Sequence, residues 1–572
     1  MADEKSYDLI VVGAGIYGLC AASTYLSLYP HANVRILEAG SDVGGVWSTE
    51  RSYPGFWSQS GTRVAGFHDL PMRSPPPERS YKSSQDSKLV SKYLKDYASA
   101  RGLRQRCDFN CLVSSITKSG NVWQISSKTD SRDTVYCGKK LIIATGLFTQ
   151  SLIPPFPGRE TFNGPIIHQK DWGSSGIFAS EEASKASHTH ITVLGGSKSA
   201  ADIVYTAAID KHHLRTVNWL IRDSGPGALS LLPAQGLGKY EHITELGTTR
   251  IISALSFANP WLPENWWSWF LHKTWIGEWL MDFIWNKQLD DATASAKYDS
   301  RAGALPGFRD LKSDASARWR TGYFGALNRD PEDFWNVIAQ KVNVFRGEVG
   351  KLGNDTVVLK DGREIQTDVL LLATGFEQAH PEFSVSEAAR LGLPLSNQHA
   401  ELFERERAHW SALDVAAERK VLQRWPYLHN SPLPTKEQSH TPYRLYNHTT
   451  PVSDPSIAFL GIPLCANSYH VAFVQSLYAI AAVDGHIKLP DREVMKQDIA
   501  YVTTWNRWKY PAIGGPGNAM EFEMVAYTDK MLEELGLESH KKKSWWMWMT
   551  EPIWAKENEG LLEEFRAKYV KG

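Results

Sequence analysis

The sequence predicts an α/β fold built on two dinucleotide-binding units, and three observations predict it. Two glycine-rich turns, Gly13–Gly18 and Gly195–Ala200, each follow a short apolar strand and open a helical run. Each helical run leads into a second short apolar strand. Two more apolar strands, LIIATGLF (Leu141–Phe148) and VLLLATGF (Val369–Phe376), share an Ala-Thr-Gly ending. Short, continuous apolar strands alternating with helices are the pattern of a parallel sheet buried on both faces.

The first unit runs from the strand Tyr7–Val12 through Gly13-Ala14-Gly15-Ile16-Tyr17-Gly18 into a helix that ends before Pro30, then the strand Val34–Leu37 and Glu38. This is the Rossmann fingerprint in its required setting. Gly13 makes the tight turn, Gly15 lets a pyrophosphate approach the backbone, and Gly18 lets helix and strand pack closely. The helix N-terminus offers N–H groups to phosphate, and Glu38 offers acceptors to a ribose.

The second unit runs from the strand Thr189–Leu194 through Gly195-Gly196-Ser197-Lys198-Ser199-Ala200 into a helix, then the strand Val217–Ile221 and Arg222. Ser197 and Ala200 replace the second and third glycines. The hydroxyls of Ser197 and Ser199 are candidate phosphate ligands, and Lys198 is a candidate cofactor-binding residue beside them. Arg222 stands where the ribose-binding acid would be, and an arginine suits a 2′-phosphate. NADPH is therefore expected there rather than NADH.

After Glu38 comes Gly44-Gly45-Val46-Trp47. Here the chain resembles the class B flavin-dependent monooxygenases, a family that includes dimethylaniline-type and Baeyer–Villiger monooxygenases and carries GG-x-W shortly after its ribose-binding acid. Between the two units lies FNGPIIHQKDW (Phe162–Trp172). Phe162, Gly164, His168 and Trp172 match the family's linker fingerprint, FxGxxxHxxx followed by an aromatic; tryptophan at the last position is the Baeyer–Villiger form. Further resemblance lies at YPG (Tyr53–Gly55), FHDLP (Phe67–Pro71) and the segment leading to Phe109 and Val113. It covers the chain apart from two aromatic-rich stretches and the tail.

The resemblance implies FAD at the first turn, with Gly45, Val46, Trp47 and Val113 lining its site, and NADPH at the second. It makes Gln59 and His168 the catalytic candidates, His168 more as a hinge or NADPH-side anchor than as a proton donor. Gln59 falls where Baeyer–Villiger enzymes place an aspartate and dimethylaniline-type enzymes an asparagine. An amide can hydrogen-bond flavin or NADP⁺ but cannot act as a carboxylate. Arg318 and Arg320 are candidates for the arginine that Baeyer–Villiger enzymes use. The implied reaction is insertion of one atom of O₂ into an organic molecule through a flavin C4a-(hydro)peroxide. Baeyer–Villiger oxidation of a ketone is the alternative, and an NADPH reductase or oxidase without oxygen insertion is a second.

Composition narrows the partners. The 572 residues carry a net charge of −1, which points to no polyanion and so to no nucleic acid. Five scattered cysteines with no CxxC disfavour disulfide exchange and cysteine zinc sites, and no metal site is expected. No signal peptide is visible, and a cytoplasmic setting is expected.

Tryptophan is abundant, with 22 copies, and seven fall in WLPENWWSWFLHKTWIGEWLMDFIW (Trp261–Trp285). These are expected in a core or over an apolar, aromatic or polyketide-like substrate, as in an enzyme of secondary metabolism. Peripheral membrane contact through this stretch and KKKSWWMWM (Lys541–Met549) is the competing reading. The predicted organisation is two Rossmann-like domains, for FAD and NADPH, with an aromatic-rich helical insertion. The first part of the FAD domain spans 1–160, the linker 161–188, and the NADPH domain 189–345 with its insertion at about 225–325. The second part of the FAD domain spans 346–540 and the tail 541–572.

Overall fold

The computed structural model describes residues 5–73, 84–128, 133–177, 189–210, 215–313, 316–320, 323–432, 438–539 and 542–570. The polar loop expected at Arg73–Ser80 lies outside them beyond Arg73. Two five-stranded, all-parallel sheets form the frame. The first is ordered Ile457–Phe459, Leu141–Ile143, Leu9–Val12, Val34–Leu37, Cys107–Asp108. The second is ordered Ile166–His168, Val369–Leu372, His190–Leu194, Thr216–Ile221, Val342–Arg346.

The sheets are built alike. In each, the middle strand leads into a glycine turn and the strand beside it ends in Ala-Thr-Gly. The contact that joins them is also shared. Gly13 sits at φ +105°, and a Cβ there would lie 2.4 Å from the Ala144 carbonyl oxygen. Gly195 sits at φ +148°, and a Cβ there would lie 2.3 Å from the Ala373 carbonyl oxygen. Glycine is demanded at both places by backbone conformation and by contact with the neighbouring strand.

Three expectations shift. The strand expected at Tyr7–Val12 breaks at Asp8: Lys5–Tyr7 pairs with Asp133–Gly138 at the edge of a separate sheet, and Leu9–Val12 begins the Rossmann sheet. The histidine motif is more than a linker, because Ile166–His168 is an edge strand of the second sheet. The chain also leaves the second sheet later than residue 346. Val369–Leu372 still pairs within it, after the small antiparallel sheet whose last two strands flank Asp361-Gly362. The return crossing is Phe376–Glu377, paired antiparallel with the outgoing crossing Gln150–Ser151.

The region after Arg222 is helical, as expected, with a hairpin of the helices Trp266–Lys273 and Trp275–Ala296. The tail is not separate. Its last helix, Leu561–Tyr569, packs Leu561, Leu562 and Phe565 into the core of the first domain.

Candidate cofactor and active site

At the first turn the backbone is ready for a phosphate. Gly15 is the N-cap of the helix Ile16–Leu28, with φ −80° and no side chain capping the N–H groups behind it. A Cβ on Gly15 would meet only Gly45 Cα, at 3.7 Å. The protein's own packing therefore does not demand glycine there, and the open space fits the approach of a pyrophosphate. Gly18 differs: a Cβ there would fall 1.9 Å from the Gly13 carbonyl oxygen, so its role is helix–strand packing. Glu38 accepts from the Ala14 N–H at 2.7 Å and the Gly40 N–H at 2.8 Å. Its carboxylate thus fixes the turn at the position a ribose would reach. These residues fit an FAD pyrophosphate and ribose. Gly45, Val46 and Trp47 form a short helical turn facing Gly15, and Trp47 stacks on Phe56 at 4.7 Å, which stacks on Tyr53 at 4.8 Å. Val113 lies half-buried on the strand Leu112–Ser119, just after the Cys111 N–H bonds the Glu38 carbonyl at 2.9 Å.

At the second turn Ser197 is the N-cap of the helix Lys198–Ala208 without using its hydroxyl to cap it. Ser199 is turned inward, where its hydroxyl meets the buried phenol of Tyr53. Lys198 is turned inward too. Its ammonium pairs with Asp202 and donates to the Trp57 carbonyl. Burial lowers its pKa against the pull of Asp202. Arg329 joins the cluster, donating to the Gly55 carbonyl and lying 3.3 Å from Asp202. Lys198 and Arg329 therefore tie the second domain to residues 55–57 of the first.

Arg222 is exposed at the end of the strand Thr216–Ile221. Beside it, Arg346 ends the neighbouring strand and lies 3.4 Å from Asp223. Sequence reasoning missed Arg346. Burial acts to raise the Glu348 carboxyl pKa, but bonds from Ser224 and the nearby Arg222 bring it down overall. Arg222 and Arg346, each with a carboxylate neighbour, thus stand at the carboxyl edge of the second sheet.

Gln59 lies on the strand Trp57–Gly61 with its side chain exposed and facing Gly325. Both domains hold this strand. From the first, Ser60 Oγ donates to the Ala466 carbonyl at 3.2 Å, just before the helix Ser468–Val483. From the second, Asn328 Nδ2 donates to the Ser58 carbonyl, and His242 Nε2 bonds Asn328 Oδ1 at 2.9 Å. His242 Nδ1 accepts from the Thr244 N–H at 3.2 Å, so these partners assign a neutral ring with its proton on Nε2. Burial pushes its pKa down to about 4.

His168 is buried. Its Nδ1 accepts from the Lys170 N–H at 3.2 Å, leaving Nε2 to donate to the Gly375 carbonyl at 2.8 Å. Burial lowers its pKa. Both nitrogens are committed to backbone, so His168 has none free for proton transfer. It clamps the linker to the second Ala-Thr-Gly. Arg51 completes the clamp, donating to the Phe148 carbonyl at 2.8 Å and lying over the Phe376 ring. Of the arginine candidates, Arg318 is held by both oxygens of Asp282, and the Arg320 side chain is outside the described residues.

Comparison with known proteins agrees with this architecture. Residues 10–227 match a family of pyridine nucleotide-disulphide oxidoreductases. An FAD-dependent monooxygenase (resA) of Aspergillus sclerotiorum is 31% identical over 558 residues, covering 94% of each chain. One from Pyrenophora dematioidea is 30% identical over 562 residues, covering 94% of this chain and 99% of its own. Among solved structures, cyclohexanone monooxygenase from Rhodococcus sp. Phi1 bound to NADP⁺ superposes with a TM-score of 0.60 at 16% identity, covering 93% of this chain and 98% of its own. S-allyl-L-cysteine S-oxygenase from Allium sativum gives 0.54 at 15% identity, covering 99% and 94%. With two glycine turns on two like sheets and a relative this similar over nearly its full length, the chain belongs to the FAD-dependent monooxygenases.

Proposed function

We propose that this enzyme uses NADPH and O₂ to place one oxygen atom on an apolar or aromatic small molecule. The observation that carries the reading is the position of the Trp57–Gly61 strand, which is held from one side by the first domain and from the other by the second. A residue there can face both nucleotides at once, and Gln59 is the exposed side chain of that strand. FAD, when bound, supplies two-electron transfer from nicotinamide to dioxygen. The chain supplies position and dryness. The uncapped N-termini at Gly15 and Ser197 receive the two pyrophosphates, and Arg222 with Arg346 receives the 2′-phosphate. The His242–Asn328 pair holds the Ser58 carbonyl and so the register of Gln59. The Trp47–Phe56–Tyr53 stack excludes water on the inner side of the same segment.

Gln59 favours oxygenation of a heteroatom or an activated ring carbon, because an uncharged amide holds flavin and nicotinamide oxygens without adding a charge beside them. Ketone insertion is favoured instead by Trp172, buried at the position where the Baeyer–Villiger fingerprint has tryptophan. The experiment is the stoichiometry of NADPH, O₂ and hydrogen peroxide in Gln59→Ala. Hydride acceptance that persists while most oxygen leaves as peroxide supports the reading. Unchanged coupling of NADPH to product would remove Gln59 from the mechanism.

A further inference from the structure

The helix Trp275–Ala296 has two apolar faces. Gly277, Met281 and Trp285 recur every four residues and are buried against the core of the insertion. Trp275, Trp279 and Phe283 recur at the same interval, displaced by two residues, which is about 200° around a helix. That second stripe is bare: Trp275 is 80% exposed, Trp279 61% and Phe283 59%. The preceding helix adds Trp266 at 74% and Trp269 at 58%. These tryptophans were expected in a core or a substrate lid. Of the seven, Trp285 is buried, Trp261 partly so, and the other five are exposed.

We propose that this outward aromatic face seats the enzyme on the surface of a lipid bilayer. The makeup of the face chooses lipid over a second copy of the chain: five of its bare side chains are tryptophans, the side chain that concentrates at the headgroup level of membranes. The attachment is peripheral, since among the described residues no helix is long and apolar enough to cross a membrane. It is apolar rather than electrostatic: Trp266–Ala296 carries Lys273 and Lys287 against Glu278, Asp282, Asp290 and Asp291. A smaller patch repeats the chemistry, with Trp545 and Trp546 exposed on a helix whose Thr550 accepts from Lys239 and Tyr240. The helices that carry the two patches both contact the segment 250–255, one through buried Trp285 bonded to the Leu255 carbonyl and the other through Trp548 over Arg250.

The test is flotation of the FAD-loaded enzyme with phosphatidylcholine vesicles, with and without phosphatidylserine. The wild type is expected to float with both and to show a blue-shifted tryptophan emission. The variant Trp266→Ser/Trp269→Ser/Trp275→Ser/Trp279→Ser is expected to keep its flavin and melting temperature, because these side chains are exposed, and to float about tenfold less. A wild type that stays with the soluble fraction overturns the proposal, as does a variant that floats equally well. So does binding that requires phosphatidylserine and survives the substitutions. A lipid-free dimer that the same substitutions dissociate, with no flotation, would assign the face to a second copy.

Discussion

Replacing Gly15 by alanine separates ligand binding from folding at the first turn. The added Cβ meets only Gly45 Cα, at 3.7 Å, and the backbone at φ −80° suits any residue. Restricting the unfolded chain stabilises by about 0.4–1 kcal/mol, and alanine's poorer N-cap preference removes a comparable amount. The apoprotein should therefore melt within a couple of degrees of the wild-type apoprotein. The Cβ does, however, occupy the approach of the pyrophosphate. Displacing it from one or two N–H donors costs about 3 kcal/mol, roughly a hundredfold in FAD affinity. Gly15→Val should go further and purify colourless. The assay is flavin absorbance per protein, with melting curves recorded with and without added FAD. A Gly15→Val enzyme that purifies with a full complement of flavin would refute the reasoning. So would a Gly15→Ala apoprotein that has lost its fold, because the open space would then serve packing.

Other outcomes follow from the same geometry. Gly18→Ala should destabilise by about 3 kcal/mol or more with or without FAD, because its Cβ collides with the Gly13 carbonyl; chemical denaturation of both forms checks this. Arg222→Ala should weaken NADPH by about 1.5–3 kcal/mol and leave NADH nearly unchanged, read from flavin reduction rates against cofactor concentration; equal losses would remove the 2′-phosphate assignment. His242 should make stability fall in acid. Its folded pKa is about 4, below the ordinary 6.5. The unfolded chain therefore binds the extra proton first, so the contribution is complete above about 6.5 and is lost as pH falls towards 4. The full span is worth about 3 kcal/mol, and His242→Gln should flatten that part of the pH–stability curve.

The frame was legible because its signals are local. Gly13, Gly195 and the two Ala-Thr-Gly endings each sit beside the strand that needs them, and Glu38 follows its strand directly. Some features need more than one motif at a time. Asp202 stands at i+4 from Lys198 on the same helix, the spacing that draws a lysine along the helix surface. In the helix Trp275–Ala296 both apolar stripes have the same period, so periodicity alone could not say which one the core would take. The rest was illegible because it is long-range. His242 and Asn328 are 86 residues apart, and Asn328 reaches the Ser58 carbonyl across 270 residues. No spacing rule joins such positions. The second domain was expected to end at 345, yet Val369–Leu372 pairs within its sheet, and only strand pairing shows which sheet each Ala-Thr-Gly strand joins.

The central claim is that the two nucleotide sites converge at the Gln59 strand so that oxygen is held and transferred rather than released. Rapid mixing tests it most directly: the FAD-loaded enzyme is reduced anaerobically with NADPH, then mixed with O₂ in the absence of substrate while absorbance is followed. The expected result is a transient spectrum distinct from both oxidised and reduced flavin, lasting longer with NADP⁺ retained than after reduction by dithionite alone. Immediate return of the oxidised spectrum, with one hydrogen peroxide per flavin in both cases, would contradict it.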